Sequence, residues 1–179
     1  MHTSPQAAIL VGHGGVPKDY PQELVTKLKR LEAQRRSSGA PPTSEEIELD
    51  QRIRRWPRSA QTDPYQTGLE ALAAHLRPFL NGMPLALAYN EFCSPTLEEA
   101  VAELVGAGAR EITVVSSMFT PGGSHSELEI PDTLQRLRIR YPQVTLRYAW
   151  PFDLTMVCSM LAEHLRRFMS AAPEPARQG

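Results

Sequence analysis

A chain of 179 residues with 41% hydrophobic content can bury one proper core, so a single domain is the expectation. Its formal net charge of −1 gives no electrostatic case for a nucleic-acid footprint or an anionic membrane surface. Met1 to Gln6 lack the regions of a signal peptide, no apolar run approaches the roughly 20 residues of a membrane span, and the two cysteines, Cys93 and Cys158, form no Cys-x-x-Cys site, all of which suits a reducing cytoplasm.

Ala7 to Val11 is an apolar run long enough for one buried strand, and it stops at Gly12-His13-Gly14-Gly15. Glycines on both sides of His13 allow a sharp turn and leave the imidazole unshielded at the strand's carboxyl end. Leu24, Leu28 and Leu31 then recur at helical spacing, which predicts a helix from about Pro21 to Arg36 packed on one face of the sheet. Gly39-Ala40-Pro41-Pro42 breaks it. Thr43 with Glu46 resembles a capping box and opens a second helix, Ser44 to Trp56. Asp63-Pro64 reads as a cap followed by proline at the first helical position, and Leu69, Leu72, Leu76 and Leu80 sustain a third helix to Asn81.

Pro84 to Tyr89 is the second strand, with Glu91 just past its end. Ser94-Pro95 looks like another cap-plus-proline start, for a helix reaching Gly106. Ile112 to Val115 is β-branched and apolar, as a strand covered on both faces should be. Ser116 and Ser117 close it, and a loop leads through Gly122, Gly123 and Ser124 to His125. A helix from about Ile130 to Arg140, a strand from Val144 to Ala149, and a helix capped by Asp153 complete the chain. That last helix carries Met156, Val157, Met160, Leu161, Leu165 and Phe168 on a wide apolar face; residues 171–179 read as a disordered tail.

Strands alternating with helices predict an α/β fold: a four-stranded parallel sheet with helices on both faces, in one domain over residues 1–170. Four strands is small for this architecture, and an exposed apolar edge or face commonly seeks a partner, so a two-fold homodimer is expected.

Ligands of open parallel sheets bind beyond the carboxyl ends of the strands. His13, Glu91 and His125 are all assigned to that edge, and two imidazoles with one carboxylate suit a divalent first-row metal with coordination positions left open. Taken singly, each has a plainer reading, as a loop-bonding histidine or a solvated carboxylate. Gly14, Gly15, Ser116, Gly123 and Ser124 are the neighbouring candidates for substrate binding. Arg52, Arg54, Arg55 and Arg58 surround Trp56; the favoured reading is a solvated helix balanced by Glu45, Glu46, Glu48 and Asp50, with Arg52 and Arg55 as candidate contacts for a flat, polycarboxylated ligand. Cys93 reads as a small buried residue near the site, the Met156/Met160 pair as core, and His75 and His164 as surface positions; His2 is uninformative. There is no Gly-x-Gly-x-x-Gly, P-loop or Gly-x-Ser-x-Gly, so no redox cofactor, nucleotide or serine nucleophile is expected.

Three segments, Val11-Gly12-His13-Gly14-Gly15, Glu91-Phe92-x-x-Pro95-Thr96-Leu97-Glu98-Glu99-Ala100, and Gly122-Gly123-x-His125 followed by Glu129-Ile130-Pro131, together resemble the small class II tetrapyrrole chelatases, the sirohydrochlorin cobaltochelatase/ferrochelatase family. The resemblance covers about residues 7–15 and 84–168. It implies a flavodoxin-like lobe, two of which make a chelatase, supplied in short members by two subunits. It implies metal-binding and catalytic histidines at His13 and His125, with the acidic residue at Glu91. The activity implied is insertion of Co²⁺ or Fe²⁺ into a metal-free tetrapyrrole, with no cofactor beyond that metal substrate. Two pyrrole protons must leave as the metal enters, and imidazole and carboxylate are suited to take them. Two departures stand out: about residues 39–65 look like a helical insertion, and Gly15 stands where the family has serine. A non-catalytic metal or tetrapyrrole carrier, or a chelatase acting on a porphyrin, is the alternative.

Overall fold

The computed structural model describes residues 5–169; the expected tail at 171–179 and His2 lie outside them. Four strands, β1 (Gln6–Gly12), β2 (Leu85–Tyr89), β3 (Glu111–Ser116) and β4 (Thr145–Tyr148), pair in the order β2-β1-β3-β4. Every pairing is parallel. This is the doubly wound, flavodoxin-like strand order, and it reverses direction beside β1, where such sheets open a crevice.

The alternation of side chains along the strands divides two cores. Ala7, Ile9 and Val11 of β1 and Ile112 and Val114 of β3 face the helices α4 (Leu97–Gly106) and α5 (Ile130–Arg140), which contribute Val101, Leu104, Leu134 and Leu137. Ile9, Val11, Ile112 and Val114 are completely buried. Each contributes about 1.5–3 kcal/mol relative to an exposed position. Ala8, Leu10, Leu85 and Tyr89 face the other way, onto Leu69 and Ala73 of α3 (Pro64–Leu76).

Capping explains most helix starts, with two corrections. Asp63 accepts the Gln66 N–H at 3.0 Å and Pro64 occupies the first turn, as expected. The cap of α4 is Thr96 rather than Ser94: its hydroxyl accepts from the Glu99 N–H while Glu99 accepts from the Thr96 N–H, a reciprocal capping box. Thr43 caps α2 (Ser44–Arg54), but the Glu46 carboxylate turns away to Arg35, so that box is half made. Past Leu76 the third helix tightens to a 3-10 turn, Arg77–Leu80, around Pro78, which has no N–H to continue the ladder.

The first helix, α1 (Gln22–Ser38), does not lie on the sheet face. Val25 and Leu28 pack instead against Leu49 and Ile53 of α2, with Tyr20, Phe92 and Trp56 closing a separate small core. An amphipathic stripe specifies that a face is buried, not against what, and α2 offered the nearer apolar surface. The last helix, α6 (Leu154–Met169), is capped by Asp153 as expected, yet none of its residues is buried. Met156 and Met160 are 71% and 54% exposed, so the pair is not core. On the α3 side of the sheet, Ala8, Leu80, Thr113 and Val115 line an open hollow of about 400 Å³.

Candidate metal centre

The register of β1 and β2 pairs Gly12 with Tyr89, and the ladder continues one step past both strands. The Asn90 N–H donates to the Gly12 carbonyl at 2.9 Å and the Glu91 N–H to the His13 carbonyl at 2.8 Å. His13 and Glu91 are thereby carried out side by side. Gly14 has φ +95°, and a Cβ on it would lie 1.8 Å from the Glu91 carbonyl oxygen. This glycine is required both for its left-handed backbone and for the close approach of the two loops. Immediately after Glu91, Phe92 adopts φ +57°, and the Cys93 N–H closes a tight turn onto the Glu91 carbonyl at 2.7 Å. A bulky residue held in that region costs on the order of 1–3 kcal/mol, a strain the surrounding contacts must hold in place.

His125 arrives from β3 on a single π-helical turn, His125–Glu129, in which the Ile130 N–H bonds the carbonyl five residues back. Such turns within helices recur at functional sites. Here it delivers His125 to His13 with ring centroids 4.7 Å apart and planes nearly perpendicular. One potential ligand atom from each of His13, Glu91 and His125 lies within 4.8 Å of the others, and all three residues are half-buried. The three expected ligands meet.

Both imidazoles are oriented through Nδ1. That of His13 lies 2.8 Å from the Gly14 carbonyl, which can only accept. That of His125 lies 3.0 Å from Oε2 of Glu129, an oxygen that also accepts from the Asn90 amide at 2.8 Å. The same amide nitrogen is 2.8 Å from the His125 Nδ1. A proton on each Nδ1, directed at the Gly14 carbonyl and at Glu129, leaves the Nε2 lone pairs for a metal, the usual division of labour in histidine ligation. In that tautomer the Asn90 amide bonds Glu129 and only lies beside the His125 ring. Burial works against ionising Glu129, but the hydrogen bonds from Asn90 and His125 outweigh it and hold the carboxyl below its ordinary value. In the sequence Glu129 stands out only within the Glu129-Ile130-Pro131 segment. Its spacing of four from His125 is the signal that could have paired them; Asn90 carries no comparable mark.

The arginine cluster is divided differently from the sequence expectation. Arg52 and Arg55 are exposed and line a shallow surface depression beside Trp56, apart from the metal edge. Arg58 is the buried member. It pairs with Asp63, both side chains 5% exposed or less, and donates to the carbonyls of Gly15 at 2.9 Å, Ile53 at 3.1 Å and Phe92. One guanidinium thus joins the loop after β1, the loop after β2 and the ends of α2 and α3. Tyr65 adds a further tie, its hydroxyl oxygen accepting the His13 N–H at 2.6 Å.

Of the candidate substrate contacts, Ser124 lines the cleft and Gly123 beside it is exposed. Gly14 is buried behind Glu91, and Gly15 packs tightly against Asp63 and Tyr65, where a Cβ would come within 3.1 Å of the Asp63 carboxylate and 3.3 Å of the Tyr65 Cβ. Ser116 is 1% exposed and its hydroxyl accepts the Met118 N–H, so it serves the loop and not the cleft. Cys93 is fully buried, with its thiol pushed up to about 11 chiefly by desolvation. His75 and His164 are exposed, as expected of surface positions.

A cleft of about 740 Å³ opens over Glu91 and Ser124, walled by α1 and α2 on one side and by α4 and α5 on the other. Three of its arginines are engaged: Arg35 with Glu46, Arg54 with Asp50, and Arg136 with Glu98. Burial, and then the negative charge of Glu91, push the Glu32 carboxyl on this wall upward.

Among solved structures, the chain is 19% identical to a CbiX protein from Marinobacter aquaeolei VT8, over 91% of this chain and 99% of that one, with a TM-score of 0.49. It is 21% identical to SirB from Bacillus subtilis with Fe³⁺, over 93% of this chain and 48% of that one, with a TM-score of 0.48. A sirohydrochlorin ferrochelatase from Priestia megaterium is 32% identical over 68 residues, 38% of this chain and 25% of that protein. The chain thus matches about a quarter of the length of that curated relative. The CbiX family model matches residues 60–166, a span that includes Glu91 and His125 and begins after α2. By that match, over more than half of its length, the chain belongs to the CbiX family.

Proposed function

We propose that the protein is a metal chelatase that inserts Co²⁺ or Fe²⁺ into a metal-free tetrapyrrole, with sirohydrochlorin as the macrocycle, in cobalamin or siroheme/heme formation. The observation that carries this reading is the meeting of His13, Glu91 and His125, two of which, Glu91 and His125, line an open hollow. Membership of the CbiX family and the likeness to a sirohydrochlorin ferrochelatase support it. The Nε2 atoms of His13 and His125 hold the metal substrate, and Glu91 serves as third ligand or as acceptor of the pyrrole protons. The protein's positional contribution is to aim the ring nitrogens at the ion. No cofactor beyond the metal substrate is required by this scheme.

A homodimer in the cytoplasm is part of the proposal. Leu154, Leu161, Leu165 and Phe168 leave α6 with an apolar face that nothing covers among the described residues, and a second copy is its proposed partner. No helix among the described residues is long and apolar enough to cross a membrane.

The test is optical. Purified protein, sirohydrochlorin and Co²⁺ or Fe²⁺ are mixed anaerobically and metallation is followed by absorbance against the uncatalysed rate. Acceleration abolished in His13→Ala and His125→Ala is the expected result. No acceleration with sirohydrochlorin or a porphyrin overturns the chelatase reading, and binding without turnover, tolerant of Glu91→Gln, identifies a carrier. Full rate in a folded histidine variant overturns the site assignment.

A further inference from the structure

One stripe of α1 is turned toward the metal edge. Lys29, Glu32, Ala33 and Arg36 fall at i, i+3, i+4 and i+7, the spacing that places side chains along a single helix face. These four line a hollow of about 370 Å³ together with Glu91 and His125. Arg36 and Glu32 also border the larger cleft, so the two spaces share a wall.

Neither cation of this stripe is tied into an ion pair among the described residues, although the Arg36 charge favours the ionised forms of Glu32 and Glu129. Arg36 makes no hydrogen bond or ion pair among the described residues, whereas the other three cleft arginines are each engaged with a carboxylate. Lys29 has no carboxylate partner there either; its ammonium is held 5.6 Å from the centroid of Phe92, the residue next to Glu91. The rise of an α-helix puts the two cations about 10 Å apart along the axis. That is too far to grip one carboxylate together, but suits two carboxylates carried on one edge of a broad, flat ligand. Ala33 between them keeps the wall low enough for a ring to pass.

We infer that Lys29 and Arg36 form an anion-recognising wall that binds two peripheral carboxylates of the macrocycle and so selects a polycarboxylated tetrapyrrole over an uncharged one. This rests on the chelatase reading above and assigns substrate recognition to α1, in place of the Arg52 and Arg55 positions the sequence suggested. Arg36 supplies a planar fork for a bidentate contact and Lys29 a mobile point charge.

The experiment uses the full chain, with Lys29→Gln, Arg36→Gln, the double variant and Arg36→Lys. Both positions are exposed, so these changes leave the cores untouched. Co²⁺ alone is titrated by calorimetry, and a metal-free octacarboxylate porphyrin by fluorescence at two salt concentrations. Each neutral variant is expected to weaken porphyrin binding about five- to tenfold, with a smaller loss in Arg36→Lys, a shallower salt dependence in the double variant, and Co²⁺ binding retained. Unaltered porphyrin affinity in the double variant, while the wild type binds and metallates, overturns this inference alone. A wild type that binds neither Co²⁺ nor porphyrin overturns the chelatase reading and this inference with it.

Discussion

On the strand side of the cleft, His13 is held at its N–H by Tyr65, at its ring by the Gly14 carbonyl and at its own carbonyl by Glu91. Across the cleft, α1 presents Lys29 and Arg36 as exposed side chains that make no ion pair among the described residues. The first region is positioned by backbone, at a cost of strain in Phe92; the second is free to adapt. The contrast follows from what each side would hold. Metal ligation tolerates errors of a few tenths of an ångström, whereas a carboxylate on a flexible arm meets a flexible cation half-way.

The sharpest way to break the ordered side is Arg58→Ala. It leaves Asp63 buried without its counter-charge and frees the Gly15 and Phe92 carbonyls, and a loss of about 3–5 kcal/mol in unfolding free energy is expected. Urea denaturation checks it. A loss under about 1 kcal/mol would mean that the loops are held by other contacts.

Gly14→Ala comes next. Its methyl would lie 1.8 Å from the Glu91 oxygen at φ +95°, so the loops must separate. A cost of about 2–3 kcal/mol is expected. Co²⁺ affinity should fall with it, because His13 and Glu91 are spaced by that contact; thermal unfolding and calorimetry on the same samples separate the two effects. Wild-type Co²⁺ affinity in this variant would contradict the backbone account.

Glu129→Gln is milder and more specific. It keeps the shape but weakens the acceptor that orients His125, and a 10- to 100-fold loss of Co²⁺ affinity is expected with the fold intact. It also carries a pH signature. Because the folded Glu129 carboxyl sits below its ordinary value of 4.5, its contribution to stability is present above that pH and is lost as pH falls through the lower folded value. In acid titrations of unfolding, the variant should lack this decline; equal acid limbs would show that Glu129 is not so held.

The smallest effect belongs on the adaptable side. Lys27 and Glu45 form an ion pair between α1 and α2 with both side chains substantially exposed. Lys27→Ala should change stability by less than about 1 kcal/mol. A larger change would show that the α1–α2 pair is fastened more like the strand side than its exposure suggests.

Much of this site is legible before folding is considered. Each of His13, Glu91 and His125 is the first metal-capable side chain after an apolar strand or its loop, and period and punctuation locate those strands. The supporting residues are not legible in the same way. Arg58 belongs by sequence to a charged helix end, and nothing in its neighbours distinguishes it from Arg55; only the arrival of Asp63 and two loop carbonyls buries it. Asn90 sits at the end of β2 like many polar residues there, and it acquires its role because the π-helical turn brings Glu129 and His125 to it.

The sequence by itself determined the parallel α/β class and the three residues at the strand ends, because side-chain periodicity and the exclusion of polar groups from a buried strand act locally. Tertiary structure alone decided that α1 packs on α2 instead of the sheet, that Arg58 is buried while Arg52 and Arg55 are exposed, and that Lys29 and Arg36 face the metal edge. Those outcomes depend on which apolar face a helix meets and which charges are left over, and neither is a property of any one segment.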